Sequence, residues 1–201
     1  FGVKPTAPTT AYGYIQPGAA LAEAAGVLEV VRFVEKPDAP TARTYVADGY
    51  LWNSGNFVFG AATLMGELRR FAPDVAEAAT AALPQGDGLG AAVHLGDPFR
   101  TAPKISFDYA VMERTERAAV APVDFAWSDL GAWDAVWAAS PKDADGNSAP
   151  EGAILIGSRE SLVRSAGPTV VGIGLDRIAV IAEPDAILVC ALDSSQGVKT
   201  A

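Results

Sequence analysis

The chain has 201 residues, of which 50% are hydrophobic and 19% are charged, and it carries a net charge of −9. This length and composition allow one or two domains with a buried core. The negative charge argues against nucleic acid as a partner, because phosphate backbones demand clustered Lys and Arg side chains. No stretch of the sequence approaches the roughly 20 apolar residues of a membrane span. The single cysteine, Cys190, lies in an apolar run, which indicates a buried thiol in a reducing cytoplasm.

The N-terminal part of the chain predicts alternating strands and helices. A β-forming segment at 12–15 leads into a turn at 16–18. The next predicted elements are a strand at 27–34, a helical turn at 41–48, a strand at 52–59, helices at 61–71 and 74–82, and a loop at 84–90. They are followed by a helix at 108–117 capped by Ser106, an edge strand at 120–123, and a turn at 127–131 into a helix at 132–139. This order predicts an α/β sheet with helical cover.

The C-terminal part has a different composition. Residues 141–151 are rich in Asp, Gly, Asn, Ser and Pro, which is typical of a linker. Beyond them come five short β-forming runs separated by turn residues, at 153–156, 161–164, 169–173, 178–181 and 186–190. This spacing predicts a small all-β unit or a β-solenoid. The predicted domains are therefore 1–140, a linker at 141–151, and a structural or oligomerisation module at 152–201.

One strand is interrupted by polar residues. In Leu51-Trp52-Asn53-Ser54-Gly55-Asn56-Phe57-Val58-Phe59, four small polar or glycine residues break an aromatic-rich apolar segment. Buried amides without partners would destabilise a purely structural strand. The simplest interpretation is that a ligand hydroxyl or phosphate contacts these groups.

A second polar pair ends an earlier strand. Glu35 and Lys36 stand directly before Pro37, at a strand end where α/β sheets bind ligands. A carboxylate there can accept hydrogen bonds from sugar hydroxyls, and the ammonium can hold a phosphate. The alternative is a solvated junction between a strand and a turn, which an isolated Glu-Lys-Pro tripeptide favours.

Three further residues are candidates for chemistry. Asp129 lies between Trp127 and Trp133, where a divalent ion is one good partner for its carboxylate; an N-cap of the following helix is the alternative. Lys4 is either a phosphate ligand or a surface lysine. Gly13 either lets the backbone approach a ligand closely or marks a β-bulge. One histidine and one cysteine argue against hydrolase and zinc sites.

Five ordered segments carry a resemblance to a known family. FGVKPTAPTTAYGYI, FVEKPD, LWNSGNFVF, ISFDYAVMER and WSDLGAWDAVW closely resemble mannose-1-phosphate guanylyltransferases, best the bacterial type that is often fused to a mannose-6-phosphate isomerase domain. The resemblance covers the whole chain. It implies a nucleotidyltransferase domain with a Rossmann-like mixed sheet, followed by a short β module through which a homo-oligomer can form.

The resemblance also implies roles for individual residues. Glu35 would accept the mannose hydroxyls, Lys36 would bind the sugar phosphate, Asn53 would contact the sugar, and Gly13 would meet it through its backbone. Asp129 would hold the Mg²⁺ that bridges the phosphates. The implied reaction is in-line attack by mannose 1-phosphate on the α-phosphorus of GTP, which releases diphosphate and needs no covalent intermediate.

The chain departs from the family pattern in two respects. Thr9 and Ala11 stand where the family usually has Glu and Gly. The glycine-rich G-x-G-x-R-x-x-P nucleotide loop does not occur in the 201 residues. We therefore expect a fragment that contains the sugar-binding half of the catalytic domain, lacks the N-terminal nucleotide-binding half and is inactive alone. The start at Phe1 also suggests an internal cut.

Two alternatives remain at this point. A uridylyl- or thymidylyltransferase for a glucose phosphate shares the Glu-Lys-Pro and Trp-x-Asp patterns. A non-catalytic module that binds a sugar phosphate or serves assembly is the alternative from a different functional class.

Overall fold

The computed structural model describes residues 1–84 and 93–200. The chain forms two compact units, Phe1–Ala126 and Trp127–Ala201. From residue 85 on, the predicted loop at 84–90 lies outside the described residues. No helix among the described residues is long and apolar enough to cross a membrane.

The first unit is built on a six-stranded mixed sheet, and the mixed α/β class is confirmed. Its strands are β1 (Gly2–Val3), β2 (Tyr14–Ala20), β3 (Leu28–Val34), β4 (Leu51–Asn53), β5 (Ala119–Val120) and β6 (Pro122–Val123), in the spatial order β5-β3-β2-β4-β1-β6. The β1–β6 pair is parallel and the other pairs are antiparallel. Because Ala121 alone separates β5 from β6, one residue joins the two ends of the sheet.

Three α-helices and two short helical turns accompany this sheet. They are α1 (Ala39–Ala47), α2 (Ala61–Phe71), α3 (Pro73–Ala81), a 3₁₀ turn (Asp97–Thr101) and a π-helical turn (Asp108–Met112). Asp38 begins α1 as its N-cap, since its Oδ1 accepts the backbone N–H of Thr41 at 2.8 Å. The three predicted helices at these positions are confirmed to within two residues at each end.

The apolar core of the first unit lies on one face of the three central strands. Ile15 of β2 stands opposite Phe33 of β3 and Leu51 of β4, and these side chains cluster with Val120. Alternate residues point to the other face of the sheet. The first face therefore combines the buried core with whatever side chains follow two residues further along each strand.

Three sequence predictions in this unit were wrong in extent. The predicted strand at 52–59 ends at Asn53, because Gly55 takes a left-handed φ of +70° and side chains of the segment bond its own backbone. The predicted turn at 16–18 instead continues β2, and shifts of register accommodate Pro17, which has no N–H to donate. The predicted helix at 108–117 ends at Met112 as a π-helical turn.

All five predicted strands of the second unit are confirmed. They are β7 (Ile154–Ile156), β8 (Leu162–Ser165), β9 (Val171–Ile173), β10 (Ile178–Ala182) and β11 (Ile187–Ala191). The β7–β9 and β8–β10 pairs are parallel, and both pair a residue with one 17 positions later, as in Ile154 with Val171 and Leu162 with Ala179. The remaining pair, β10–β11, is antiparallel.

The second unit also contains a helix that the sequence assigned to the first domain. In α4 (Trp133–Ala139), Trp133, Val136 and Trp137 pack against the buried β-core. Asn147, in the predicted linker, is 3% exposed and donates to the backbone of Ser158. The division therefore falls after Ala126 rather than at residue 140, because the aromatic side chains of α4 need the β-core to bury them.

Candidate functional site

Three strand ends of the first unit bring polar residues together. Gly13 immediately precedes β2, Glu35 immediately follows β3, and Asn53 ends β4. Each stands two residues beyond a core residue of its own strand, so the three lie on the same face of the sheet. The backbone N–H of Asn53 donates to the carbonyl of Gly13 at 2.8 Å. The sequence-predicted residues Gly13, Glu35, Lys36 and Asn53 therefore form one cluster.

Gly13 leaves the space that this cluster occupies. A Cβ at position 13 would clash with Glu35 Oε2 and would lie 3.2 Å from Asn53 Cβ. Glycine is thus needed here for close approach between the strand and its neighbours' side chains, and not for a left-handed turn, since its φ is not positive.

Glu35 has a buried carboxylate that is only half satisfied. Its side chain is 8% exposed, and Oε1 pairs with the ammonium of Lys36. Oε2 is buried and has no hydrogen-bond partner among the described residues. A buried acceptor without a donor costs free energy. The arrangement therefore favours a ligand that supplies an O–H or N–H at this point.

Lys36 combines an exposed ammonium with an unusual backbone. The hydrogen bond to the Glu35 carboxylate raises the pKa of Lys36, and the charge of the same carboxylate adds to the effect against partial desolvation. The ammonium therefore stays charged at neutral pH, and its side chain is 57% exposed, so an anion can reach it. The residue has a φ of +47°, a left-handed value that is uncommon and strained for a side chain of this size.

Asn53 is held at both ends of its amide. Its Nδ2 donates to Asp108 Oδ1 at 3.0 Å, and its Oδ1 accepts the backbone N–H of Gly55 at 3.0 Å. An amide carries two donor hydrogens and two acceptor lone pairs. One N–H and one lone pair of Asn53 thus remain for a ligand.

The segment that carries Asp108 was not predicted as part of the site. Asp108 begins the π-helical turn, a type of element that is frequent at functional sites. Glu113, at the end of the same turn, accepts the backbone N–H of Glu35 at 3.0 Å with its Oε1. The ISFDYAVMER pattern was a signal for this segment, but spacing alone cannot show that its carboxylates reach two strands some 55 to 78 residues away.

Lys4 is not part of this cluster. Gly2 stands opposite Asn53, and Val3 opposite Trp52, so the chain runs away from the cluster by the time it reaches Lys4. There Lys4 is exposed and lines a shallow pocket with Tyr50.

Asp129 belongs to the second unit, and its carboxylate is exposed. Its Oδ1 accepts the backbone N–H of Gly131 at 2.9 Å. The alternative prediction that Asp129 caps α4 was wrong, since Ala132 occupies the N-cap position. The described residues contain no group of three or more His, Cys, Asp or Glu side chains that could hold a metal ion. A site made by one carboxylate and substrate phosphates remains compatible with this arrangement.

A family model identifies the first part of this chain. Residues 1–146 match the model described as Nucleotidyl transferase. The chain belongs to the nucleotidyl transferase family. The match contains every residue of the Gly13–Glu35–Asn53 cluster and also Asp129.

Named relatives of this nucleotidyl transferase confirm the predicted resemblance. A mannose-1-phosphate guanylyltransferase of Klebsiella pneumoniae is 43% identical over 204 residues, which cover 100% of this chain and 43% of that protein. The alginate biosynthesis protein AlgA of Pseudomonas fluorescens is 40% identical over 201 residues, which cover 99% of this chain and 42% of that protein. The nucleotidyl transferase therefore spans less than half the length of these relatives.

A solved structure resembles the nucleotidyl transferase along nearly its whole length. The crystal structure titled as a mannose-1-phosphate geranyltransferase from Thermus thermophilus superimposes with a TM-score of 0.83 at 32% sequence identity. The match covers 99% of this chain and 57% of that one.

Proposed function

We propose that the protein is a mannose-1-phosphate guanylyltransferase, which converts GTP and mannose 1-phosphate into GDP-mannose and diphosphate. The observation that carries this proposal is the unpartnered Glu35 Oε2, which lies between Gly13 and Asn53. A sugar hydroxyl is both donor and acceptor, so one hydroxyl can donate to this oxygen and accept from the remaining Asn53 N–H. The relatives named above support mannose 1-phosphate and GTP as substrates, and production of polysaccharide precursors as the role.

The proposed chemistry depends on positioning and on charge. Glu35 and Asn53 hold the hexose, and the Lys36 ammonium holds its phosphate as a point charge. An oxygen of that phosphate then attacks the α-phosphorus of GTP in line; the new P–O bond forms as the bond to diphosphate breaks. The carboxylate of Asp129 would bind Mg²⁺, which when bound neutralises phosphate charge. Lys4, which lies outside the cluster, has no assigned part in this scheme.

The nucleotide side of the reaction needs more than these residues. The G-x-G-x-R-x-x-P pattern that the family resemblance implies for nucleotide phosphates does not occur in the 201 residues. We therefore expect the 201-residue chain to bind mannose 1-phosphate without transferring a guanylyl group. The full-length natural protein is the form in which transfer is expected.

The second unit is proposed to be a β-solenoid that serves self-association. The constant offset of 17 residues in its parallel pairs supports a repeating coil. Left-handed backbone positions recur at the same offset, at Gly157 and Gly174 and at Glu160 and Arg177. The ladder of β7 and β9 exposes half or more of each of its apolar side chains, a surface that a second copy would bury. These side chains are Ile154, Ile156, Val171 and Ile173.

Two measurements test the proposed activity. Titration calorimetry of the 201-residue chain should detect binding of mannose 1-phosphate and weaker binding of glucose 1-phosphate. The full-length natural protein should form GDP-mannose from GTP in the presence of Mg²⁺, and should form little product from UTP or dTTP with glucose 1-phosphate. Preferential use of a uridylyl or thymidylyl donor would overturn the assignment.

Two further measurements test the supporting proposals. Sedimentation analysis should show that replacing Ile156 and Ile173 with Asp dissociates the oligomer, and an unchanged mass would overturn the proposed interface. Lowered Mg²⁺-dependent turnover in Asp129→Ala, with GTP and sugar phosphate saturating, is expected from the proposed metal role. The free thiol of Cys190 supports a reducing, cytoplasmic location.

A further inference from the structure

We propose that Asp108 is a positioning residue that orients the Asn53 amide toward the sugar. This inference rests on the proposed function, because it assigns the role of Asp108 within the same sugar-phosphate site. The two side chains come from parts of the chain 55 residues apart and are joined by a 3.0 Å hydrogen bond from Asn53 Nδ2 to Asp108 Oδ1.

The hydrogen bonds define one orientation of the amide. The N–H of Gly55 donates to Asn53 Oδ1, and the carboxylate of Asp108 accepts from Nδ2. If the amide rotated by half a turn, its NH₂ would face the N–H of Gly55 and its oxygen would face the Asp108 carboxylate. Both contacts would then be repulsive, since two donors or two acceptors would meet. Asp108 thus supplies one of the two interactions that prevent this rotation.

The orientation matters because of the neighbouring Glu35 carboxylate. Glu35 Oε2 is an acceptor without a partner, and its side chain is more than nine-tenths buried. In the observed orientation, the second N–H of Asn53 is a donor near that acceptor, because a Cβ at Gly13 would lie close to both Glu35 Oε2 and Asn53 Nδ2. An acceptor and a donor side by side complement a hydroxyl group, whereas two acceptors side by side would not.

The same helical turn supports Glu35 as well. Glu113 accepts the backbone N–H of Glu35 at 3.0 Å, so the two ends of the turn contact the two strand ends that bind the sugar. The negative charge of Asp108 also contributes to raising the pKa of Lys36. Asp108 therefore links the group that reads the sugar to the electrostatics of the group that holds its phosphate.

The first test compares Asp108→Ala with the conservative variant Asp108→Asn. Asp108→Ala should raise KM for mannose 1-phosphate about tenfold, the scale of a lost hydrogen bond to a charged group, while KM for GTP stays unchanged. Asp108→Asn keeps an oxygen acceptor in place and should remain within about threefold of the wild type. Asp74→Ala is the matched control, since Asp74 is also an exposed or half-exposed acid in a first helical turn but lies in α3. It should leave both KM values unchanged.

The second test separates positioning from a general structural role. In a double-mutant cycle, Asn53→Ala should lose sugar binding, and adding Asp108→Ala should cost little more, because the residue to be oriented is already absent. In NMR spectra of the 201-residue chain, Asp108→Ala should also shift the side-chain amide signals of Asn53. Additive losses in the cycle, or an unchanged KM in Asp108→Ala, would overturn the inference.

These outcomes differ from a failure of the proposed function. A wild-type protein that neither binds nor uses a hexose 1-phosphate would overturn the function, and the sugar-orienting role with it. Normal use of mannose 1-phosphate by the wild type and by Asp108→Ala would leave the function intact and overturn only the role of Asp108.

Discussion

Gly13→Ala is the most informative perturbation of this site. The new methyl group would clash with Glu35 Oε2 and would lie 3.2 Å from Asn53 Cβ. Since carbon atoms and their neighbours normally rest about 3.5 Å apart, the carboxylate oxygen must retreat by roughly 1 Å. That oxygen is the free end of a flexible side chain, so the fold can accommodate the change while the site cannot.

The two consequences have different magnitudes. Moving Glu35 off its preferred rotamer costs about 0.5–1.5 kcal/mol, and replacing Gly by Ala returns about 0.4–1 kcal/mol by restricting the unfolded chain. The free energy of unfolding should therefore change by less than about 1 kcal/mol. A misplacement of about 1 Å in a binding group can lower the rate 100-fold, so kcat/KM for mannose 1-phosphate should fall by about that factor, equal to about 2.7 kcal/mol.

The assay combines urea unfolding of the 201-residue chain with steady-state kinetics of the full-length natural protein. Gly66→Ala is the control, because Gly66 lies within α2 and a methyl group added there would meet no neighbouring atom within 4 Å outside its own helix turn. It should raise stability by about 0.5–1 kcal/mol through helix propensity and leave kinetics unchanged. Near-wild-type kcat/KM in Gly13→Ala would refute the reasoning, and so would a loss of stability large enough to explain the lost activity.

Three further predictions concern the backbone, the β module and pH. Lys36→Gly should be more stable than Lys36→Ala by about 1 kcal/mol in urea unfolding, the reverse of the usual order, because a φ of +47° strains any residue with a Cβ; the opposite order would show that position 36 is not strained. Gly172→Ala should lower stability by about 1–3 kcal/mol through overpacking, since its methyl would lie 2.6 Å from Leu175 and 2.8 Å from Leu155, and an unchanged urea midpoint would contradict this. Hydrogen bonds from the hydroxyl and the backbone N–H three residues later lower the pKa of Asp38, so its contribution is present above the ordinary carboxyl pKa of roughly 4 and is lost as pH falls through the lowered value. Asp38→Ala should therefore lower Tm at pH 7 with a difference that shrinks in melts below about pH 4, whereas a difference independent of pH would argue against the charge.

The elements with strong local patterns were predictable. The helices α2 and α3 follow from apolar spacing and from Pro73 at the start of the second helix. The five strands of the second unit follow from short β-branched runs between turn residues. In each case the deciding interactions lie within a few residues of the element itself, so a single sequence contains them.

Where neighbouring segments compete, local patterns were insufficient. The aromatic residues at 57–59 suggested that β4 continues, but Asn53 and Ser54 bond the adjacent backbone and end the strand. The boundary predicted at residue 140 overlooked that α4 buries its tryptophans on strands that follow it in the chain. Both outcomes depend on which partner a group finds in three dimensions.

The sequence by itself determined the family, the β-rich character of the C-terminal part and most of the residues of the candidate site. Glu35, Lys36 and Asn53 stand out because polar groups at strand ends need partners. Only the tertiary structure decided that Gly13 makes room for Glu35, that Lys4 lies apart, and that Asp108 and Glu113 support the two strand ends. The physical reason is that strand register and side-chain hydrogen bonds join residues far apart in the chain, and the spacing of residues along a sequence does not contain those distances.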